Sequence, residues 1–548
     1  MGGERRDTGG RRKVWVAGVA SLALAGAGIG AWAAFGGDQG PRTGPPTASE
    51  VESAAESFLA AWADGDVTVA AEQTDDAKAA EAALRDFTGR ARLEARDLRA
   101  GQAVGARVPY AVKAEFGHEG ARADLTYETA LTVVRRAGDG EAVVHWEPRV
   151  LHPRLTRGTR LAVRETGPAP VRAVDREGRV LDVREFPSLG PVVEGLRRTY
   201  AKEAGGRPGL ELRAEQTAPA SASTGTDSEP PRDTVLLSVP AGAPAQLRTT
   251  LDSRVQKAAE REVAARADAS IVVMKPSSGE ILAVANSRTG GPNTALEGRL
   301  APGSTMKMIT ASLLLEKRLA APDKPHPCPK TASYGGWPFH NVDDFDISGG
   351  TFRRSFAASC NTAFITQAAR LADADLSRQA QDVFGIGGPW TVGLPAFTGS
   401  VPVEHAASKA AALIGQGQVR MNPLTMASVV STARTGRFVQ PRLVAPGVGH
   451  RAPATARRAL DGAAHEQLRD LLRTTATSGS ASGSMRGLKG DIGAKTGSAE
   501  VIGQEKPNGW FAAWHGDVAA AAVMQRGGRG GESAGPLVGA VLRAVDAR

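Results

Sequence analysis

Ser304 and Lys307 stand three residues apart in the run Ala301-Pro302-Gly303-Ser304-Thr305-Met306-Lys307. This run opens a stretch predicted to be helical, Met308 to Lys317, and on a helix residues i and i+3 share a face. A hydroxyl is a weak nucleophile until a base takes its proton. A lysine that is desolvated, or set beside other cations, loses its charge readily enough to be that base. The helix start also offers a favourable potential to a developing oxyanion. The same spacing arises wherever a helix cap is followed by a surface lysine, so this pair alone decides nothing. Two further groups follow: Ser359-Cys360-Asn361 begins 55 residues after Ser304, and Lys495-Thr496-Gly497-Ser498 begins 136 residues after Ser359.

SxxK, SxN and KTG in this order resemble the three motifs shared by penicillin-binding proteins and serine β-lactamases. The contexts LAPGSTMK, FAASCNTAF and LIGQGQVRMNPLTMA (413 to 427) are most similar to the class B penicillin-binding proteins, the D,D-transpeptidases of peptidoglycan synthesis. KTGS stands where KTGT is commoner, and Cys360 fills the variable middle position of SxN. The resemblance implies catalytic roles for Ser304, Lys307, Ser359, Asn361 and Lys495. Ser304 would attack the carbonyl between the last two D-alanines of a stem peptide, with Lys307 as base. Ser359 would relay a proton to the leaving amine, and Asn361 would hold Lys307 and the substrate amide. Thr496, Gly497 and Ser498 would bind substrate on an edge strand to which a peptide adds. Thr496 and Lys495 would meet its terminal carboxylate, and the backbone N–H groups of Ser304 and Ser498 would form the oxyanion hole. β-Lactams would mimic the first substrate and stay attached, and no cofactor is implied.

The elements that must position these groups are legible nearby. Thr250-Leu251-Asp252-Ser253 is predicted to cap a helix through Val255, Ala258, Ala259 and Val263. Ser270 to Met274 and Glu280 to Ala285 read as paired strands at one edge of a larger sheet. Trp510 and Trp514 are expected to pack a strand returning beside KTG. The resemblance implies an α/β transpeptidase domain over 247 to 548, a five-stranded antiparallel sheet flanked by helices. Both cysteines, Cys328 and Cys360, fall in this domain, where they form either a bridge tethering SxN or two buried thiols.

Upstream, Ser49 and Glu52 read as a capping box before a helix carrying Val51, Ala55, Phe58, Leu59 and Trp62. A second helix is predicted near Asp76 to Phe87, then strands at Tyr110 to Phe116, Leu125 to Val134 and Val143 to Val150. This α+β plan and the string HWEPRVLHP (145 to 153) resemble the NTF2-like domain of some penicillin-binding proteins, here 48 to 153, read as a spacer. That type occurs in low-affinity resistance enzymes. Residues 154 to 240 are expected to form a β-rich pedestal, or dimerisation-type, domain. Val174 to Leu181 would be its strand, turn and strand, similar to the family's DRxGxxL hairpin, and 217 to 232 a disordered Ser/Thr/Pro-rich loop.

The chain has 548 residues, with 67 Lys+Arg against 58 Asp+Glu for a net +9, and 41% hydrophobic residues. That is the composition of a multidomain globular protein. Arg5, Arg6, Arg11, Arg12 and Lys13 precede an uncharged stretch, Val14 to Phe35. As a helix rising about 1.5 Å per residue the stretch spans a bilayer core. It reads as a single transmembrane anchor behind a cytoplasmic tail (1 to 13), with a linker at 36 to 47 and the remainder extracytoplasmic. Ala31-Trp32-Ala33 offers the alternative of a cleaved signal peptide. The remaining charge is scattered, and Arg154, Arg157 and Arg160 lack interleaved aromatics, so nucleic acid is not an expected partner. No metal-ligand spacing is present, His326-Pro327-Cys328 included, and Gly527 to Gly531 lacks the GK[ST] of a phosphate cradle. The expected partners are stem peptides, β-lactams, the cell membrane and a glycan polymerase. A D,D-carboxypeptidase or β-lactamase-type hydrolase is the alternative function. A β-lactam sensor lacks an output module, and no glycosyltransferase motif precedes the catalytic domain.

Overall fold

A computed structural model describes residues 43–167, 170–200, 203–217, 233–445, 448 and 452–546. The expected tail and anchor lie outside them, as do the linker before Arg42 and the expected disordered loop beyond Thr217. Among the described residues no helix is long and apolar enough to cross a membrane.

The first module begins with helix Ala48–Ala63, which buries Val51, Ala55, Phe58, Leu59 and Trp62 as their spacing predicts. Its capping box is Thr47 with Glu50, two residues earlier than expected. Both pairs fit the pattern, but Glu50 also meets Arg135 Nη2 at 2.7 Å from the neighbouring sheet, which fixes the helix start. The second predicted helix is Ala77–Gly89, N-capped by Asp76. Four antiparallel strands follow in spatial sequence: Leu93–Ala100, Arg107–His118, Ala121–Arg135 and Ala142–Val144. The first of these was not anticipated, because its charged residues mask the alternation. The strand expected over 143 to 150 stops at Val144, since Pro148 starts a 3-10 turn at 148 to 150. Asp75 accepts from Trp146 N at 2.7 Å and lies 2.6 Å from His145 Nδ1. The Tyr110 and Tyr127 hydroxyls donate to the Val150 and Leu151 carbonyls. HWEPRVLHP is thus held along the sheet largely through its backbone.

The second region divides its apolar side chains between two cores. Strands Thr159–Glu165, Leu210–Gln216 and Thr234–Val239 form a sheet whose Leu161, Leu210 and Leu212 join the core of the first module. Ala173, Leu181, Phe186, Leu189, Val192 and Leu196 instead join the catalytic domain's core. Arg160, expected in a loop, lies on the first of these strands. The strand, turn and strand at 174 to 181 is corrected: Gly178 makes the turn (φ +90°), but the second arm contributes one bridge, Val174 to Val180. Val171–Val174 pairs in parallel with Ala245–Arg248 instead. The reason is Asp175, fully buried, which accepts from Glu177 N (2.8 Å), Arg179 N (2.9 Å) and the Ser253 hydroxyl. These bonds fold the turn onto the start of helix Ser253–Ala264 and leave no second strand free to extend.

The catalytic domain is built on a five-stranded antiparallel sheet in the order Ile281–Asn286, Ala269–Met274, Val518–Met524, Asn508–His515, Ile492–Ala499. The expected paired strands form one edge and the KTG strand the other. Alternate residues face opposite layers. Ile271, Val273, Ala520 and Ala522 pack with Val255, Leu537, Val538 and Val541 of helices Ser253–Ala264 and Ala534–Asp546. Val272, Met274, Ala519, Ala521 and Val523 face the core that contains helices Lys307–Glu316 and Pro423–Thr435. The alanine-rich central strand lets helices approach closely on both faces. Trp510 and Trp514 are buried in the returning strand, as expected.

Candidate active site

Pro302-Gly303 turns the chain into a 3-10 segment, Gly303–Met306, that continues directly as helix Lys307–Glu316. Gly303 has φ +54°, and a Cβ there would lie 2.5 Å from the Ser498 carbonyl oxygen. Only glycine allows the nucleophile's turn to sit this close to the KTG strand. Gly303 N donates to Gly415 O at 2.9 Å, so the GQG segment supports the same turn from its other side.

Lys307 is fully buried, and its Nζ lies 3.0 Å from Ser304 Oγ, 2.7 Å from Asn361 Oδ1 and 2.8 Å from the Ser359 carbonyl oxygen. The last two groups are acceptors only. A neutral Lys307 amine spends its two N–H bonds on them, which aims its lone pair at the Ser304 hydroxyl. Burial, assisted by the charge of Lys495, holds Lys307 well below the usual lysine range, and this favours that neutral form. The ring of Phe364 lies 5.4 Å from Nζ.

Ser359 has φ +62°, a left-handed conformation for a non-glycine residue, just after helix Phe352–Ala357. That conformation turns its carbonyl to Lys307 and its hydroxyl to Lys495, whose Nζ is 2.8 Å from Ser359 Oγ. Lys495 also donates to the Thr496 carbonyl at 3.0 Å, and burial lowers its pKa to about 7. The relay has two halves, Ser304 with Lys307 and the Ser359 hydroxyl with Lys495, which meet at Ser359 through its backbone carbonyl. Among the described residues no carboxylate bonds to any of these four side chains.

The cysteines are joined in a Cys328–Cys360 disulfide, buried, with Cα atoms 6.2 Å apart. The bridge closes a loop with a sequence separation of 32 and secures the residue between Ser359 and Asn361. A loop of this size corresponds to roughly 3 to 4 kcal/mol in the chain-entropy account. Thiol titration of the denatured, unreduced protein is expected to find no free thiol. Reduction is expected to lower both the melting temperature and the rate of acylation at Ser304. Two titratable thiols, or unchanged acylation after reduction, would count against a tethering role.

Two supporting residues escaped the sequence reading. Asn341 is fully buried, and its Oδ1 accepts from Asn361 N (2.7 Å) and Thr362 N (3.1 Å) while its Nδ2 donates to the Pro329 and Phe345 carbonyls. It fixes the SxN turn, and the bond from Asn361 Nδ2 to His340 O (3.0 Å) orients the Asn361 amide with its oxygen toward Lys307. Ser480 Oγ lies 2.8 Å from Thr496 Oγ1. Thr496, Gly497 and Ser498 occupy the outer strand opposite Phe511, Trp510 and Gly509, with one edge of that strand unpaired by the sheet. The glycine-rich segment 527 to 531 is a loop, as expected, and Gly530 packs onto the backbone oxygens of Gly497 and Trp510. His326 Nε2 donates to the Ala363 carbonyl (2.9 Å) inside the core, and among the described residues no cluster of three or more metal-ligating side chains occurs.

The model of the penicillin binding protein transpeptidase domain matches residues 269–543. The peptidoglycan D,D-transpeptidase PbpA of Mycobacterium tuberculosis is 27% identical over 359 residues, spanning 54% of this chain and 72% of that protein. Penicillin-binding protein PbpB of Mycolicibacterium smegmatis is 27% identical over 222 residues, 36% of this chain and 34% of that one. Among solved structures, apo penicillin binding protein 3 of M. tuberculosis superposes with a TM-score of 0.53 at 20% identity, covering 70% of this chain and 96% of the other. Pseudomonas aeruginosa PBP2 gives 0.54 at 17% identity, covering 70% and 97%.

Proposed function

The chain belongs to the penicillin-binding protein transpeptidase family, and from that premise we propose how its geometry performs serine acyl transfer as a class B peptidoglycan D,D-transpeptidase. The observation that carries the mechanism is the neutral-amine geometry of Lys307, whose other two partners are acceptors. Ser304 Oγ attacks the carbonyl between the last two D-alanines while Lys307 takes its proton. The charge that develops on the carbonyl oxygen is met by the N–H groups of Ser304 and Ser498, each worth roughly 3 to 4 kcal/mol in comparable sites. Ser359, bonded to Lys495, passes a proton to the departing amine, and D-alanine leaves. An amine of a second stem peptide then attacks the ester, the C–O bond to Ser304 breaks, and the cross-linking amide forms. Thr496, Gly497 and Ser498 offer an open strand edge on which the donor peptide lies, its terminal carboxylate facing Thr496 and Lys495.

Several finer features belong to this reading. The order of helices and sheet in 48 to 153 supports an NTF2-like spacer, and low β-lactam affinity with a part in resistance follows by analogy. The basic tail and uncharged run at 14 to 35 support a single-pass anchor that holds the catalytic domain outside the cytoplasm, near a glycan polymerase. Residues 154 to 240 serve as the pedestal. The hydrolase alternative requires a base to activate water on the acyl-enzyme, and the relay's partners among the described residues include no carboxylate.

The test is acylation with a fluorescent penicillin, followed by mass mapping of the labelled peptide and by a D-Ala-D-Ala donor offered with an amine acceptor. A stable label on the Ser304 peptide together with a cross-linked product supports transpeptidation. Rapid loss of label, with donor hydrolysis only, would assign the hydrolase.

A further inference from the structure

From the groove beside the KTG strand we infer the site of the acceptor stem peptide, with Arg354 as the residue that recognises a carboxylate on it. The groove has a volume of about 420 Å³ and runs between the ends of helices Phe352–Ala357 and Gly462–Thr477. Its lining includes Thr351, Arg354, Ala358, Thr474, Ser478 and Ser480. Ser480 N donates to Ala357 O at 3.0 Å, which ties the two helix ends together. Two of these residues lead to the reaction centre: Ala358 precedes Ser359, and the Ser480 hydroxyl is 2.8 Å from Thr496 Oγ1.

The polarity of the bound donor decides what this groove faces. The inference rests on the reading above, in which the scissile carbonyl lies at Ser304 and Ser498 and the departing D-alanine's carboxylate at Thr496 and Lys495. Moving from Ser498 to Thr496 is therefore moving from the acyl group to the leaving group. Ser480 lies at the Thr496 end, so the groove borders the leaving-group side. The acceptor amine must enter where the leaving amine departed, and the rest of the acceptor extends from there.

The charges in the groove specify what it takes. The guanidinium of Arg353 is occupied by Asp323 (2.8 Å) and by Asp470. Arg354 is exposed and has no side-chain ion pair among the described residues. A free guanidinium among hydroxyls suits a carboxylate, which it can hold through two parallel hydrogen bonds. The acceptor class this arginine selects is therefore one with a free carboxylate close to its reacting amine. In the transfer step the amine nitrogen bonds to the acyl carbon, the ester C–O bond breaks, and one amine proton returns to Ser304 Oγ through Lys307. Arg354 takes no part in the bond changes and positions the acceptor.

The test uses the full chain, an acyl-enzyme formed from a thioester donor, and two acceptor peptides. One ends in a diamino acid with its side-chain amine and carboxylates free, and the other is the same peptide with those carboxylates amidated. In Arg354→Ala the kcat/KM for the free acceptor is expected to fall about tenfold or more, chiefly through KM, with less than a twofold change for the amidated one. Ser478→Asp, which sets a competing carboxylate in the groove without removing the arginine, is expected to do the same. Equal effects on both acceptors, or none on either, would overturn the assignment. Loss of penicillin acylation in Arg354→Ala would also overturn it, by placing the residue on the donor side. Failure of the wild-type chain to form any acyl-enzyme would instead defeat the underlying functional reading.

Discussion

Ser304→Ala is expected to abolish labelling by fluorescent penicillin altogether, with no transfer of the label to a neighbouring hydroxyl. Three other hydroxyls lie close in sequence or space, and none of them is bonded to Lys307 Nζ. Thr305 is fully buried and donates to the Pro302 carbonyl at 2.7 Å. Ser359 Oγ accepts from Lys495 Nζ at 2.8 Å. Ser498 lies on the KTG strand, and Lys307 is not among its partners. Removing Oγ of Ser304 takes away only the atom at which the lone pair of Lys307 is aimed, so the fold should persist with a melting temperature close to that of the parent. Gel fluorescence and intact mass at matched exposure measure the effect. A residual adduct on another residue would show that the relay is not specific for Ser304.

How far the site could be read from sequence depends on which atoms act. Ser304, Lys307, Ser359, Asn361 and Lys495 act through side-chain chemistry, so residue type and order were enough to bring them together. Asn341 acts by presenting one amide to two backbone N–H groups and two carbonyls, and any sequence offers many asparagines with that capacity. Ser480 likewise gains its role only because the chain after Thr477 returns to Thr496. Backbone departures were also invisible, since nothing in the letters Ser-Cys-Asn announces a left-handed φ at Ser359. The cysteine pairing remained open in sequence because two cysteines permit a bridge without requiring one.

The fold shows the same division. Helix Ala48–Ala63 and the paired strands Ala269–Met274 and Ile281–Asn286 follow from local periodicity and turn residues. The region 154 to 240 did not follow, because its strands are decided by partners far away in sequence. Val171–Val174 pairs with Ala245–Arg248 once Asp175 is tied to Ser253, and those bonds are long-range. Its apolar residues also divide between two cores, so no single amphipathic pattern describes the region. A consequence is that 173 to 196 couples mechanically to the catalytic domain, while the three-stranded sheet belongs with the first module.

Lys307→Arg is expected to reduce the acylation rate constant by roughly 10³-fold or more, even though side-chain length is nearly retained. General-base catalysis is typically worth about 10²- to 10⁴-fold, and a guanidinium cannot supply it because it does not deprotonate in a protein. In the parent chain, burial and then the charge of Lys495 depress Lys307, which favours the neutral amine. Arginine would bring a permanent charge into that fully buried position, with a planar fork that does not match the three partners now met by one nitrogen. The pH profile separates this loss from simple misfolding. The parent's acylation rate should rise as Lys307 gives up its proton, then fall above about 7 as Lys495 loses the positive charge that faces the carboxylate. In Lys307→Arg the rising limb should vanish, since no group titrates there, while the falling limb set by Lys495 persists in the residual activity. Stopped-flow acylation across the pH range measures both limbs. A variant that keeps the rising limb would show that a group other than Lys307 activates Ser304.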